Sequence, residues 1–128
     1  MSLDLKNNIA TATSLAPAAR TATANGTGVD LAGFSATAIV VVAGTVTDGT
    51  HAIKVQESDD NAAFTDVAAA DLDGTAPSLQ AAGSNTVTEI GYRGIKRYIR
   101  VVTTVSGTTT GGVYAALVVR GSARKYPK

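Results

Sequence analysis

His51 is the residue with which acid–base or metal chemistry in this sequence would have to begin. It is the one histidine among 128 residues, and the chain has no cysteine. A typical zinc site draws on several His or Cys ligands, which a lone histidine cannot supply. The scattered serines form no G-x-S-x-G motif or Ser-His-Asp set. We therefore predict no catalytic residue, no metal and no cofactor, and we expect His51 to be a surface residue at the start of a strand.

Acidic residues are concentrated between Asp48 and Asp73. This segment has seven acidic residues against Lys54 alone, which gives it a charge of −6. Its last part, "DLDG" at residues 71–74, resembles half of a calcium loop, because alternating carboxylates followed by glycine can surround a hard cation. The further acid that an EF-hand needs at the end of its loop is missing. We expect solvated turns capped by aspartate rather than a cation site.

Basic residues are concentrated in "GYRGIKRYIRVV", residues 91–102, which has four of them within eight positions and no acid. Residues 120–128 carry four more positive charges, although the whole chain has a net charge of only +1. Four interpretations are open for this basic cluster: a protein partner, nucleic-acid phosphates, a membrane surface, or plain exposure to water. Nucleic-acid binders combine a large positive charge with stacking aromatic residues, and here only Tyr92 and Tyr98 flank the cluster. The segregated charges favour a protein partner.

The elements that must position these residues are predicted to be short strands, at residues 35–46, 51–58, 64–74, 86–92, 96–105 and 113–120. The run 35–46 is rich in β-branched residues, as expected of a strand buried on both faces. Asp48-Gly49 between two apolar runs predicts a hairpin. Short strands separated by regular turn signals indicate an all-β, antiparallel sandwich or barrel, of which we predict the β-sandwich.

The alternation of apolar residues predicts which side chains form the core. In the last strand it places Val113, Ala115, Leu117 and Val119 inward. The whole predicted core is Ile39, Val41, Ile53, Val55, Phe64, Val87, Ile99, Val101, Leu117 and Val119.

Three parts of the chain are expected. Residues 1–33 have no sustained periodicity and predict an N-terminal arm that lies on a partner, or alternatively an edge strand followed by a loop. Residues 34–121 form the sandwich, and residues 122–128 a basic tail. If residues 1–33 are an arm, removing residues 1–20 should leave a folded domain. No secretion signal and no membrane span are predicted, so we expect a soluble chain with no membrane partner.

The stretches "QESDDNAAFTDV", "NTVTEIGYRGIKRYIRVV" and "VVRGSARKYP" resemble a family of small proteins encoded beside the major capsid protein of tailed bacteriophages, which look like capsid cement or decoration proteins. The resemblance implies a jelly-roll-like β domain that is made in the host cytoplasm, binds the outer surface of an icosahedral head and stabilises it. The implied partners are the major capsid protein and copies of the chain itself, as a homotrimer. Two alternatives are a head–tail joining or tail-tube component, and a head-internal protein in contact with nucleic acid.

The charge pattern and the predicted arm together suggest a protein interface. Under the capsid interpretation, the basic cluster would face an acidic patch of the shell or the acidic segment of a neighbouring copy, and nucleic acid is not expected as a partner. The predicted interface residues are Arg93, Lys96, Arg97, Arg100, Arg120, Arg124, Lys125, Asp59, Asp60, Leu3, Leu5 and Leu15.

Overall fold

A computed structural model of the chain describes residues 5–123, and the side chains of residues 5–121. The described part is all-β, with two single-turn 3₁₀ segments at Ala69–Asp71 and Ala81–Gly83 and no α-helix. Its strands are β1 (Ile9–Arg20), β2 (Ala24–Asn25), β3 (Val29–Asp30), β4 (Phe34–Val46), β5 (Thr50–Ser58), β6 (Thr65–Asp66), β7 (Leu72–Asp73), β8 (Ser78–Leu79), β9 (Val87–Tyr92), β10 (Tyr98–Ser106) and β11 (Gly112–Ala123).

The strands form two antiparallel sheets, which confirms the predicted fold class. The five-stranded sheet has the order β1-β11-β4-β9-β7. The six-stranded sheet has the order β2-β10-β5-β6, and β3 and β8 pair with β10 and β5. Every strand pair is antiparallel. Both sheets contribute to one hydrophobic core, as a β-sandwich requires; the finer prediction of a jelly roll stays a prediction.

The core is built from alternating residues of the long strands. Of the predicted core residues, six are buried: Ile39, Val41, Ile53, Val55, Ile99 and Val101. Phe64 is only half-buried, and Val87 is 63% exposed, so its core assignment was wrong. The prediction that residues 35–46 are buried on both faces was also wrong, because only alternate residues of β4 enter the core.

The predicted orientation of β11 was wrong for the whole strand. Tyr114, Ala116 and Val118 point into the core and are fully buried. Val113, Ala115, Leu117 and Val119 therefore occupy the opposite face, since successive residues of a strand alternate between faces. β11 is apolar on both faces, so hydrophobicity alone could not choose between the two registers.

Asp48-Gly49 joins the two sheets, so the prediction that it closes a hairpin was wrong. β4 pairs with β11 and β9, whereas β5 pairs with β10. The β10–β11 turn is a second crossing between the sheets, and it packs against the first. Gly49 has a φ of +83°, and a Cβ there would collide with Thr108 and with the carbonyl oxygen of Ser106. The turn signal was correct, but the sequence alone does not say which strands a turn pairs.

The described part of residues 1–33 is not a detached arm. β1 pairs with β11 from Ile9↔Gly121 to Arg20↔Gly112, and Leu15 is 1% exposed in the core. The Ser14 hydroxyl donates to Thr27 O at 2.9 Å and accepts from Val101 N at 2.8 Å. Residues 9–33 contain the edge strand β1 and then the two short strands β2 and β3, which pair with β10. The boundary predicted at residue 33 therefore divides one folded unit.

Candidate docking surface

His51 is a core residue, so the expectation of a surface position was wrong. It is fully buried, with Nδ1 2.9 Å from the Tyr114 hydroxyl and Nε2 3.1 Å from Asp48 O. Because a carbonyl oxygen only accepts, Nε2 carries the proton and Nδ1 accepts from Tyr114. The Tyr114 oxygen in turn lies 2.6 Å from Thr103 Oγ1. Both ring nitrogens are thereby used inside the fold.

The carboxylate of Asp48 holds the two sheet crossings together. It accepts from the backbone N–H groups of Thr109 at 3.1 Å, Thr110 at 3.1 Å and Gly111 at 2.6 Å. These bonds, with Gly111 first and Thr110 second, lower the pKa of Asp48 below its usual value. This acidic side chain therefore has a structural partner in the same chain.

Arg97, at the centre of the basic cluster, forms a bidentate ion pair with Asp30. Its Nε and Nη2 donate to the two carboxylate oxygens at 2.9 Å each. Asp30 Oδ1 also accepts from Ala32 N at 2.9 Å. The hydrogen bond from Arg97, followed by that from Ala32, lowers the pKa of Asp30 to about 2. Planar two-point pairing of this kind is the strongest form of an arginine–carboxylate contact.

Two more basic residues of the cluster meet acids of the acidic segment. Lys96 Nζ lies 2.8 Å from Asp59 Oδ2, and Arg93 Nη2 lies 3.4 Å from Asp73 Oδ2. The Asp59 carboxylate raises the pKa of Lys96. The complementarity between the two charged segments therefore exists within one chain. The basic cluster therefore has partners among the acids of its own chain, and its role as an interface stays a prediction.

Arg100 lies on the outer face of the six-stranded sheet, within a row of polar contacts. Its Nε and Nη2 donate to Gln56 Oε1 at 2.9 and 2.7 Å, and its guanidinium stacks 4.1 Å from the Phe64 ring centroid. Gln56 Nε2 donates to Asp66 Oδ1 at 2.8 Å, and Lys54 Nζ lies 3.4 Å from the same oxygen. We call Lys54, Gln56, Asp66 and Arg100 the polar ladder.

Other predicted interface residues also have structural roles. Arg120 stacks 5.0 Å from the Phe34 ring centroid and donates to Asp30 O at 3.0 Å. Asp60 Oδ1 accepts from Ala62 N and Ala63 N at 3.0 Å each. The remaining predicted positions divide into core, exposed and undescribed: Leu15 is in the core, Leu5 is exposed, and Leu3, Arg124 and Lys125 lie outside the described residues.

A groove of about 450 Å³ lies beside the basic cluster, between residues 31–37 and 92–97. At its margin Ile95 is 96% exposed. The Tyr92 hydroxyl donates to Glu57 Oε1 at 2.8 Å and accepts from Lys96 N at 3.2 Å. Burial, with the bond to Glu57 second, raises the pKa of Tyr92. The Tyr92 hydroxyl and the Lys96 N–H in the groove are thus bonded within the chain.

The outer face of the five-stranded sheet is different, because its side chains are apolar and remain accessible. On β4 it presents Ala38, Val40 and Val42, and the facing register partners on β11 are Val119, Leu117 and Ala115. Val42 is 40% exposed and the other five are half-buried. We call these six residues the apolar face. Sequence reasoning missed it, although apolar runs without polar alternation in "AIVVVA" and "VYAALVV" are its signal.

Apolar residues extend this face at two margins and polar residues border it at the others. Val87 of β9 lies beside Val42, and Val113 lies at the start of β11. Thr11 and Thr13 of β1 pair with Val119 and Leu117 and are exposed. Neither β4 nor β11 places a charged side chain on this face; Glu89 of β9, the register partner of Val40, lies along one margin.

Residues 5–123 contain neither a cluster of metal ligands nor a membrane-spanning helix. No three His, Cys, Asp or Glu side chains of this part lie close enough together to hold a metal ion. No helix in it has the length and apolar character needed to cross a membrane.

Comparison with known proteins adds no relative. The chain matches no protein-family model and no curated protein. The physical character of the surface is therefore the basis for a functional hypothesis.

Proposed function

We propose that this chain is a structural protein that acts by docking, and that it stabilises a bacteriophage capsid from its outer surface. The apolar face carries the proposal, because a broad apolar surface that residues 5–121 leave uncovered marks an interaction site on a protein. The resemblance to capsid cement proteins supports the choice of a capsid, with the major capsid protein as partner. The homotrimer that the resemblance implies stays a prediction.

The energetics favour docking through this face rather than through the charged regions. Burying apolar surface contributes about 25 cal/mol per Å². The arginines and lysines of the basic cluster would instead have to leave partners they already have, such as Asp30 and Asp59. Breaking a formed ion pair to make another gains little, since exposed pairs contribute little to begin with.

The ion pairs of the basic cluster also argue against nucleic acid as a partner. A phosphate contact needs a cation that is free to replace counterions on the phosphate backbone. Arg93, Lys96 and Arg97 already neutralise carboxylates of this chain. Nucleic acid is therefore the weaker candidate.

The test is co-sedimentation with DNA-free capsid shells after nuclease treatment. We expect wild-type chain to sediment with shells and Leu117→Lys to lose binding by more than tenfold, because the lysine places an unpaired charge in the contact. Ile95→Lys is the matched control, since it is also an apolar-to-lysine change but lies off the apolar face. Circular dichroism verifies that both variants are folded.

Three results would count against the proposal. Wild-type chain that fails to bind shells would remove the capsid role, and normal binding by Leu117→Lys would remove the apolar face as its contact. Salt-sensitive binding to naked DNA that exceeds binding to shells would favour a head-internal role instead.

A further inference from the structure

We propose that a second copy of this chain packs against the apolar face, sheet to sheet, about a two-fold axis. The inference rests on the proposed function, because both proposals make the apolar face a surface for assembly. It goes further by naming the occupant of this face in the free protein, which is another copy of the chain that the shell displaces on docking.

The first argument is the absence of charge at the centre of the face. In a two-fold interface each patch meets itself, so every charged residue near the axis approaches its own copy. Like charges in such a contact cost several kcal/mol. The β4 and β11 residues of the face are all alanine, valine or leucine, and Glu89 lies at the margin on β9. A surface of this kind can meet itself without repulsion.

The second argument concerns the opposite side of the molecule. A head-to-tail contact would place the apolar face of one copy on the outer face of the six-stranded sheet of the next. That surface is the polar ladder, in which Asp66 contacts both Lys54 and Gln56. Covering it with valine and leucine would remove water from these groups and return no hydrogen bond, which is costly. Face-to-face pairing avoids this cost.

The third argument is shape. The side chains of the face are small, and the sandwich itself shows that such rows interdigitate when two sheets pack at about 10 Å. Thr11 and Thr13 border the apolar rows on β1, which matches the usual arrangement of an apolar interface centre and a polar rim.

The contact area between two copies is small, so we expect pairs to exchange with single chains. The two central strands, β4 and β11, together with the margins on β1 and β9, make four strands at about 4.8 Å spacing. With about seven residues each at about 3.4 Å, face and margins have a flat area of about 450 Å² per copy. Two copies would cover about 900 Å² before side-chain relief is counted, close to the ~1,000 Å² that specific interfaces exceed. We therefore expect dissociation to be measurable on dilution.

The experiment measures the mass of the purified chain by light scattering and sedimentation, without shells, over a series from micromolar to millimolar concentration. Wild-type chain should reach the mass of two chains. In Leu117→Lys two lysines would meet near the axis, and several kcal/mol of repulsion corresponds to a dissociation constant raised more than about 100-fold. Val42→Lys places an unpaired charge in the same contact and should also weaken pairing. Ile95→Lys should pair as wild type does.

A second measurement does not depend on the lysine variants folding. The chain has no cysteine, so a single introduced thiol reports one position. Ala115→Cys, on the apolar face, should give linked pairs with a short bis-maleimide at concentrations where wild type is paired. Thr104→Cys, exposed on the six-stranded sheet, should give none.

The outcomes separate this inference from the proposed function. A wild-type chain that stays single at all concentrations, or that forms three-chain particles, overturns the two-fold pairing. If that single chain still binds shells through Leu117, the proposed function stands and the shell occupies the face. If pairs form through the face and shells are not bound, the pairing stands and the capsid role fails.

Discussion

The two outer surfaces of the sandwich differ in whether their side chains have partners. On the six-stranded sheet, Lys54, Gln56, Asp66 and Arg100 are linked by hydrogen bonds and an ion pair into the polar ladder. On the five-stranded sheet, the apolar face has neither charge nor cover from the described residues. One surface is complete within the chain, whereas the other has apolar area left to bury.

This difference shows why net charge per segment is a weak guide to an interface. The basic cluster and the acidic segment are far apart in sequence, yet Arg93 and Lys96 meet Asp73 and Asp59 once the chain folds. A run of charge predicts an interaction without saying whether the partner is the same molecule. Exposed apolar surface is the better criterion for an interface, because its contact with water is unfavourable and burial against a partner relieves it.

The largest expected effect is a loss of cooperative folding when the edge strand β1 is removed from the five-stranded sheet. Deleting residues 1–20 removes β1, takes Leu15 out of the core and leaves Val101 N without the Ser14 hydroxyl. We expect the truncated chain not to fold cooperatively, as measured by circular dichroism and thermal melting. Deleting residues 1–4 is the control and should leave a cooperative transition. A cooperative melt for the longer deletion would restore the detachable arm.

The second prediction compares the loss of stability caused by a valine-to-alanine substitution on each of the two faces of β11. Val118→Ala removes two buried methyl groups at about 0.8 kcal/mol each, and the cavity adds to this, so we expect a loss of about 2 kcal/mol or more. Val113→Ala, on the outward side, should stay within about 0.5 kcal/mol of wild type. Urea unfolding measures both. Equal losses would mean that the register of β11 is misassigned.

The third prediction concerns low pH, which protonates the carboxylates that pair with basic residues of the same chain. Carboxylates with a lowered pKa stabilise the fold above their unfolded pKa of about 3.9, and this contribution is lost as pH falls through the folded value. Asp30, with a pKa of about 2, should therefore stabilise the chain at pH 5 and lose that contribution between about pH 4 and 2. The melting temperature of Asp30→Asn should fall less over that range and converge with wild type near its lower end. A constant difference between the two proteins would contradict the pairing with Arg97.

The smallest effect is expected from the exposed pair of Lys96 and Asp59. A double-mutant cycle with Lys96→Gln and Asp59→Asn should give a coupling in the urea midpoint close to the measurement error, because exposed ion pairs are weak and are screened by salt. High salt should remove what coupling there is. A large, salt-resistant coupling would show that the pair is shielded from water.

The sequence was sufficient to predict the fold class and much of the core, because β5 and β10 alternate cleanly: Ile53, Val55, Ile99 and Val101 are buried as predicted. It could not orient β11, where both faces are apolar. There, Tyr114 lies inward within reach of His51 and Thr103, so that its hydroxyl is bonded. Contacts between residues that lie far apart along the chain leave no local pattern.

The candidate surface was missed for a related reason. Charged residues are conspicuous in a sequence, so Arg97 and Lys96 stood out, while Val40 and Leu117 passed as ordinary core residues. Their outward position follows from which neighbours fill the inside, and that is decided by packing across the whole domain. The partners of Arg97 and Lys96, Asp30 and Asp59, lie 67 and 37 positions away.

The place of β11 in the five-stranded sheet has a consequence for the order in which the protein can be built. β11 lies between β1 and β4, and Ile9 pairs with Gly121. During synthesis, the first and fourth strands therefore emerge long before the strand that joins them. Until then β1 has no neighbour in the sheet, and β4 presents an open edge that other chains could join. Completion of the sheet must follow translation of nearly the whole chain, and so many distant pairings predict slow folding.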